Sequence, residues 1–174
     1  MTEKIILTGA EPPVGSNSDL LATTIISRIG LMPRKKGSTE SINKTFIEFY
    51  ERAKKATTAK DPKLGVLTVE EMAIFAKITR QTMYEYLQRW LDLNFIQKVS
   101  YIDTSNKVII GYKLNGSTLE EAFERARKKI VDNLDKTQSL ITELQKMLKN
   151  EKIAASMKKP EEHVSENTDE SQPQ

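Results

Sequence analysis

Between Ser41 and about Lys55 the apolar residues Ile42, Phe46, Ile47, Phe49, Tyr50 and Ala53 recur every three or four positions, with lysines and glutamates between them. That spacing lines one side of a helix. Upstream, Asp19 to Ile29 carries a shorter helical pattern that stops at Gly30, and Pro33-Arg34-Lys35-Lys36-Gly37-Ser38 reads as a basic loop. After a polar loop holding Asp61-Pro62, Val66-Leu67 suffices only for a minimal strand. Thr68-Val-Glu-Glu71 then has the spacing of a capping box, which starts a helix running to about Ala76.

After Lys77-Ile78 a second N-cap, Thr79, opens a helix whose stripe is Met83, Leu87, Trp90 and Leu91. Asn94 suits a left-handed stop. The pattern then turns β-rich over Phe95 to Ile102 and Lys107 to Leu114, separated by the turn residues Asp103-Thr-Ser-Asn106, which predicts a β-hairpin. Ser117-Thr-Leu-Glu120 reads as a further capping box. From there to about Lys152 the chain holds neither Pro nor Gly, so one helix of about 33 residues is expected, about 50 Å long.

On that last helix Leu119, Phe123, Ala126, Ile130, Leu134, Thr137, Ile141, Leu144 and Leu148 follow one another by threes and fours, a heptad seam with an extra four-residue step near Ile130. Burying its five aliphatic residues from Ile130 to Leu148 is worth roughly 8–15 kcal/mol as an upper figure. A helix of this length outreaches a small domain, so the seam is expected to pair two copies.

At 174 residues the chain has room for one compact domain plus appendages. The expected layout is a flexible segment over 1–40 containing a short helix and the basic loop, a compact head over 41–116, a dimerisation helix over 117–152 and a disordered acidic tail over 153–174. The chain has no cysteine and one histidine, His163 in the polar tail, which leaves out disulfides, thiol nucleophiles, zinc-thiolate sites and imidazole chemistry in the head. Neither a glycine-rich phosphate loop nor a metal-ligand cluster nor a nucleophile-base pair stands out, so no catalytic residue, metal or cofactor is expected and the chain reads as a non-enzyme. The apolar stretch Leu20 to Met32 is too short for a membrane span and is broken by Arg28, and no secretory pattern precedes it. A cytoplasmic location is expected.

Charge is distributed unevenly. Residues 160–174 carry five carboxylates and no Lys or Arg, so a net +3 for the whole chain leaves +8 on residues 1–159. A basic body fits a polyanionic partner, whose condensed counterions Lys and Arg displace. The acidic tail offers a surface to a protein partner.

Ile78-Thr-Arg-Gln-Thr-Met-Tyr-Glu-Tyr-Leu-Gln-Arg-Trp-Leu-Asp-Leu-Asn-Phe-Ile-Gln-Lys98, within an order of helix, short strand, helix, tight turn, helix and hairpin, resembles winged helix-turn-helix transcription regulators. With the appended helix the layout is similar to PadR-type and other small archaeal or bacterial dimeric regulators. The resemblance covers about 70 residues; Trp90 stands where a smaller aliphatic is common and Asn94 where glycine is usual.

The resemblance implies a mainly α fold with a small β-hairpin wing, followed by a coiled-coil helix. It implies a dimeric, sequence-specific regulator that binds double-stranded DNA at the nucleoid, with a recognition helix over about 79–93 in the major groove and a wing over about 95–114 on the backbone or minor groove. Lys77, Thr79, Arg80, Gln81, Thr82, Tyr84, Gln88 and Arg89 are the candidate contacts on or beside the helix. Its first turn suits a phosphate, arginine suits guanine and glutamine suits adenine. Ser105, Asn106 and Lys107 are the wing-tip candidates, and Arg34, Lys35 and Lys36 form an arm-like basic group. A two-fold dimer would set the recognition helices about 34 Å apart on a palindromic operator. The same fold also serves DNA-organising, replication or plasmid-partition proteins, and in some proteins only protein contacts.

Overall fold

A computed structural model describes residues 5–32 and 41–157. Among them are five α-helices and a two-stranded antiparallel sheet, so the protein is mainly helical with a small hairpin. Contacts divide the chain into two units, residues 1–132 and 133–174.

In the first unit α1 (Ser18–Arg28) starts at Asn17, whose side chain accepts from the Leu20 amide at 2.9 Å. It ends at Gly30 (φ 70°), where the Leu31 amide reaches back to Ile26 O. A side chain there would overlap the Ile6 carbonyl, so glycine suits both the turn and the close approach. The segment before α1 folds back on it through Thr8, whose amide donates to Arg28 O and whose hydroxyl donates to Ser27 O. Ala22, Ile26 and Leu31 are buried in the main core. The expectation of a flexible segment over residues 1–40 is therefore corrected for its described part, which bears apolar residues that the core covers.

α2 (Ile42–Ala59) presents Ile42, Phe46, Phe49 and Ala53 to the core and runs one turn past the expected Lys55, until Lys60 adopts the left-handed conformation. A 3-10 turn over Pro62–Gly65 follows, and Leu67 then bridges Tyr112 with both backbone bonds at 2.8 Å. α3 (Val69–Ala76) begins with the reciprocal Thr68/Glu71 capping box and stops at left-handed Lys77. Arg52 of α2 reaches Glu71 and its own-helix neighbour Glu48, both at 2.9 Å, which ties the box to α2.

α4 (Arg80–Asp92) is capped by Thr79 and buries Met83, Tyr86, Leu87 and Trp90. Its chain turns at Asn94 (φ 58°) into β1 (Ile96–Ile102), which pairs with β2 (Val108–Leu114) from Ile96↔Leu114 to Ile102↔Val108. Phe46 stacks on Phe95, and Trp90 lies among Phe46, Phe49 and Phe95 with ring centres 5.8–6.3 Å away. Aromatic edges and faces thus fill the junction of α2, α4 and β1.

α5 (Leu119–Met157) has 39 residues, five residues beyond the expected end at Lys152. Its box is displaced by one residue from Ser117/Glu120. Thr118 accepts from the Glu121 amide, and the Glu121 carboxylate takes both the amide and the hydroxyl of Ser117 at 2.8 Å. Ala122 and Ala126 are fully buried, and Leu119 and Ile130 pack against the same core. In the second unit the described residues, 133–157, are helical and exposed.

Candidate nucleic-acid interface

The outward side of α4 is open. Gln81, Glu85 and Gln88 are exposed, Tyr84 is 47% exposed, and the Arg80 side chain is 64% exposed. Thr79 Oγ1 accepts from the Thr82 amide at 3.2 Å, and the two hydroxyls lie 2.9 Å apart, so one pair of side chains organises the first turn. Arg80 Nη1 meets Glu70 Oε1 of α3 at 2.9 Å. Glu70's own backbone N–H, and then this guanidinium, hold its carboxyl below the usual carboxylate range. Exposed pairs of this kind hold weakly, so Arg80 is free to exchange its partner.

The hairpin carries a second open face. Burial raises the Tyr112 phenol above its usual value, and Tyr84 lies near enough to add to the shift. Tyr112 is opposite Lys98 in the register, and the next pairs on that same sheet face are Ser100/Ile110 and Ile102/Val108. The base of this face is buried, whereas Lys98, Ser100, Ile102, Val108 and Ile110 are exposed. None of these five is among the candidates from sequence, although the alternation along β1 could have shown Lys98 and Ser100 beside Ile102. At the turn Asp103 Oδ1 accepts from the amides of Ser105 and Lys107 at 2.8 and 2.9 Å, and Asn106 takes the left-handed conformation. The side chains of Ser105, Asn106 and Lys107 stay exposed at the tip.

Other candidates fall differently. Lys77 is exposed at the stop of α3, beside the start of α4. Gln88 donates to Asp92 at 2.7 Å along the helix. Arg89 points away from the open side: it is half-buried and donates to Met32 O at 3.1 Å, so it holds the end of the α1 segment against α4. Arg34, Lys35 and Lys36 lie outside the described residues.

The expected seam also divides. Ala126 is buried in its own core and Leu119 and Ile130 pack against it, so these three are corrected to intrachain packing in whole or in part. Phe123, Leu134, Ile141, Leu144 and Leu148 are exposed, as is Thr137, whose hydroxyl donates to Asn133 O. Leu140 and Met147, missed in the sequence reading, are exposed too and widen the stripe. Among the described residues no group of three potential ligands could hold a metal ion, and no helix is long and apolar enough to cross a membrane.

No family model, curated protein or solved structure matches this chain. The functional reading therefore rests on geometry and sequence.

An apolar cleft of about 420 Å³ lies between α1, α2 and the start of α5, lined by Ile25, Ile29, Phe46, Phe95, Leu119 and Phe123. Phe46 and Phe95 also touch Trp90 of α4, which connects the cleft floor to the inner side of the candidate reading helix.

Proposed function

We propose that this protein is a dimeric, sequence-specific DNA-binding transcription regulator of winged helix-turn-helix type. α3, the Lys77-Ile78-Thr79 turn and α4 serve as the helix-turn-helix, with α4 in the major groove and the β1–β2 hairpin as the wing. The observation that carries the reading is the open side of α4, with Arg80, Gln81 and Tyr84 exposed, beside which the chain forms a hairpin with an exposed Lys98. Arg80 and Gln81 supply the base-reading donors and acceptors, while Lys77, Lys98 and Lys107 supply charge for phosphates. Two copies joined through α5 read a palindromic or pseudo-palindromic operator.

Selection of bound duplexes from a random pool at two salt concentrations tests this. A discrete motif is expected, with affinity falling as salt rises at a slope near −0.9 per neutralised phosphate. Arg80→Ala should relax preference at one base position at a cost of about 1–3 kcal/mol. An unchanged motif would remove Arg80 from the readout, and no duplex binding at low salt would remove the function.

One observation favours a second reading. Ile102, Val108 and Ile110 give the hairpin tip an exposed apolar face, as a winged helix used for protein contacts would need. Retention of DNA binding after Ile110→Lys would count against that alternative.

A further inference from the structure

The exposed stripe of α5 has an order of its own. With Leu134, Ile141 and Leu148 at the first apolar heptad position, Arg127 falls on the same position, and Ile130, Thr137, Leu144 and Glu151 fall on the second. This series reads alike in both directions about Ser139. Arg127 matches Glu151, Ile130 matches Leu148, Leu134 matches Leu144 and Thr137 matches Ile141.

We infer that α5 pairs with α5 of a second copy in antiparallel orientation, with Ser139 nearest the two-fold axis. The inference rests on the proposed dimer and adds its sense and register. Antiparallel helices alternate the two heptad positions across each layer, so every match above becomes a contact. Arg127, which is 63% exposed and bridges to Glu124 of its own helix at 3.1 Å, then meets the partner's Glu151. A parallel pair would instead oppose Arg127 to Arg127, Thr137 to Thr137 and Glu151 to Glu151. Like charges would then face each other at both ends of the seam.

The flanks point the same way. In antiparallel order Leu140 sits beside the partner's Leu140, and Glu124 beside the partner's Lys152, whereas a parallel pair sets Leu140 beside Gln145 and Met147 beside Lys152. Ile130 is half-buried on its own core and offers its remaining side to the partner's Leu148.

The native chain has no cysteine, so introduced thiols report alone. Leu134→Cys and Leu144→Cys, both at exposed positions, are made singly and also co-expressed, then treated with a short bis-maleimide. The expected result is a covalent dimer from the co-expressed pair and little from either variant alone. Strong self-linking of each single variant would overturn the antiparallel sense while leaving a dimer in place. Sedimentation of the unmodified full chain as a monomer would overturn the dimer itself.

Charge reversal gives an independent readout. Arg127→Glu and Glu151→Arg should each weaken dimerisation by about five- to thirtyfold, two contacts being lost per dimer, and the double variant should recover. In a parallel dimer each single reversal would only replace one like pair by another, so singles without effect would overturn the register. Far-UV circular dichroism of each variant checks that the helix remains.

Discussion

Replacing Trp90 separates the two contributions that its indole makes. The ring is fully buried among Phe46, Phe49 and Phe95, so Trp90→Ala removes most of the packing between α2, α4 and β1. Truncations of this kind cost about 3–5 kcal/mol, a large share of the roughly 5–15 kcal/mol that stabilises a domain. Trp90→Phe is a different case. The lost volume, about 40 Å³, costs about 1 kcal/mol at ~24 cal/mol per Å³, and the lost transfer free energy of the removed atoms adds about 1 kcal/mol. Against that, Nε1 is buried with no acceptor among the described residues, and removing such a donor recovers about 1–3 kcal/mol. The phenylalanine variant is therefore expected within about 1 kcal/mol of the parent. Urea unfolding followed by far-UV circular dichroism at one fixed protein concentration measures both, since Trp90 is the chain's only tryptophan and fluorescence would vanish with it. A loss above about 2 kcal/mol for Trp90→Phe would refute the donor argument, and a loss below that for Trp90→Ala would refute the packing argument.

Arg89→Ala should lower stability by about 1–2 kcal/mol by releasing Met32 O, with the selected DNA motif unchanged; an altered motif with intact stability would return Arg89 to the reading surface. Gly111→Ala should cost about 1–3 kcal/mol, because a Cβ there overlaps Val66 Cγ1 and lies 3.0 Å from Leu67 O; an unshifted thermal midpoint would mean that Leu67 and β2 are not so close. The amide and then the hydroxyl of Ser117 hold Glu121 below its ordinary value of 4.5. Because the folded value is the lower one, the support this box gives α5 is complete above 4.5 and is lost as pH falls through the depressed value. The Ser117 amide resonance should titrate in that acidic window and stop doing so in Glu121→Gln, whereas a midpoint at 4.5 or above would contradict the bond.

What the sequence made legible was what adjacent residues decide among themselves. The Thr68/Glu71 box, the Thr79 cap, the Asn94 stop and the Asp103–Asn106 turn each depend on a few neighbouring positions, and all four are present. What it concealed depends on distant partners. Arg89 looks like any outward arginine in the chain, and only the return of the α1 segment to α4 makes it a tether. Ala126 fits a helical seam by spacing, yet its burial is decided by the core beneath it. The open hairpin face needed the register, which places Lys98 opposite Tyr112. The apolar period identified α5 but did not tell which of its residues serve the home core.

The Arg89–Met32 bond has a practical consequence for anyone trimming the chain. A fragment beginning at α2 would seem a natural minimal reader, because it keeps α3, α4 and the hairpin whole. It would also lose Ile26 and Leu31 from the core they share with Ile42 and Phe46 and leave a guanidinium without its carbonyl. Weak binding by such a fragment would report a damaged scaffold rather than a missing contact, so deletion mapping of the reading head must retain α1 and the residues that follow it to Met32.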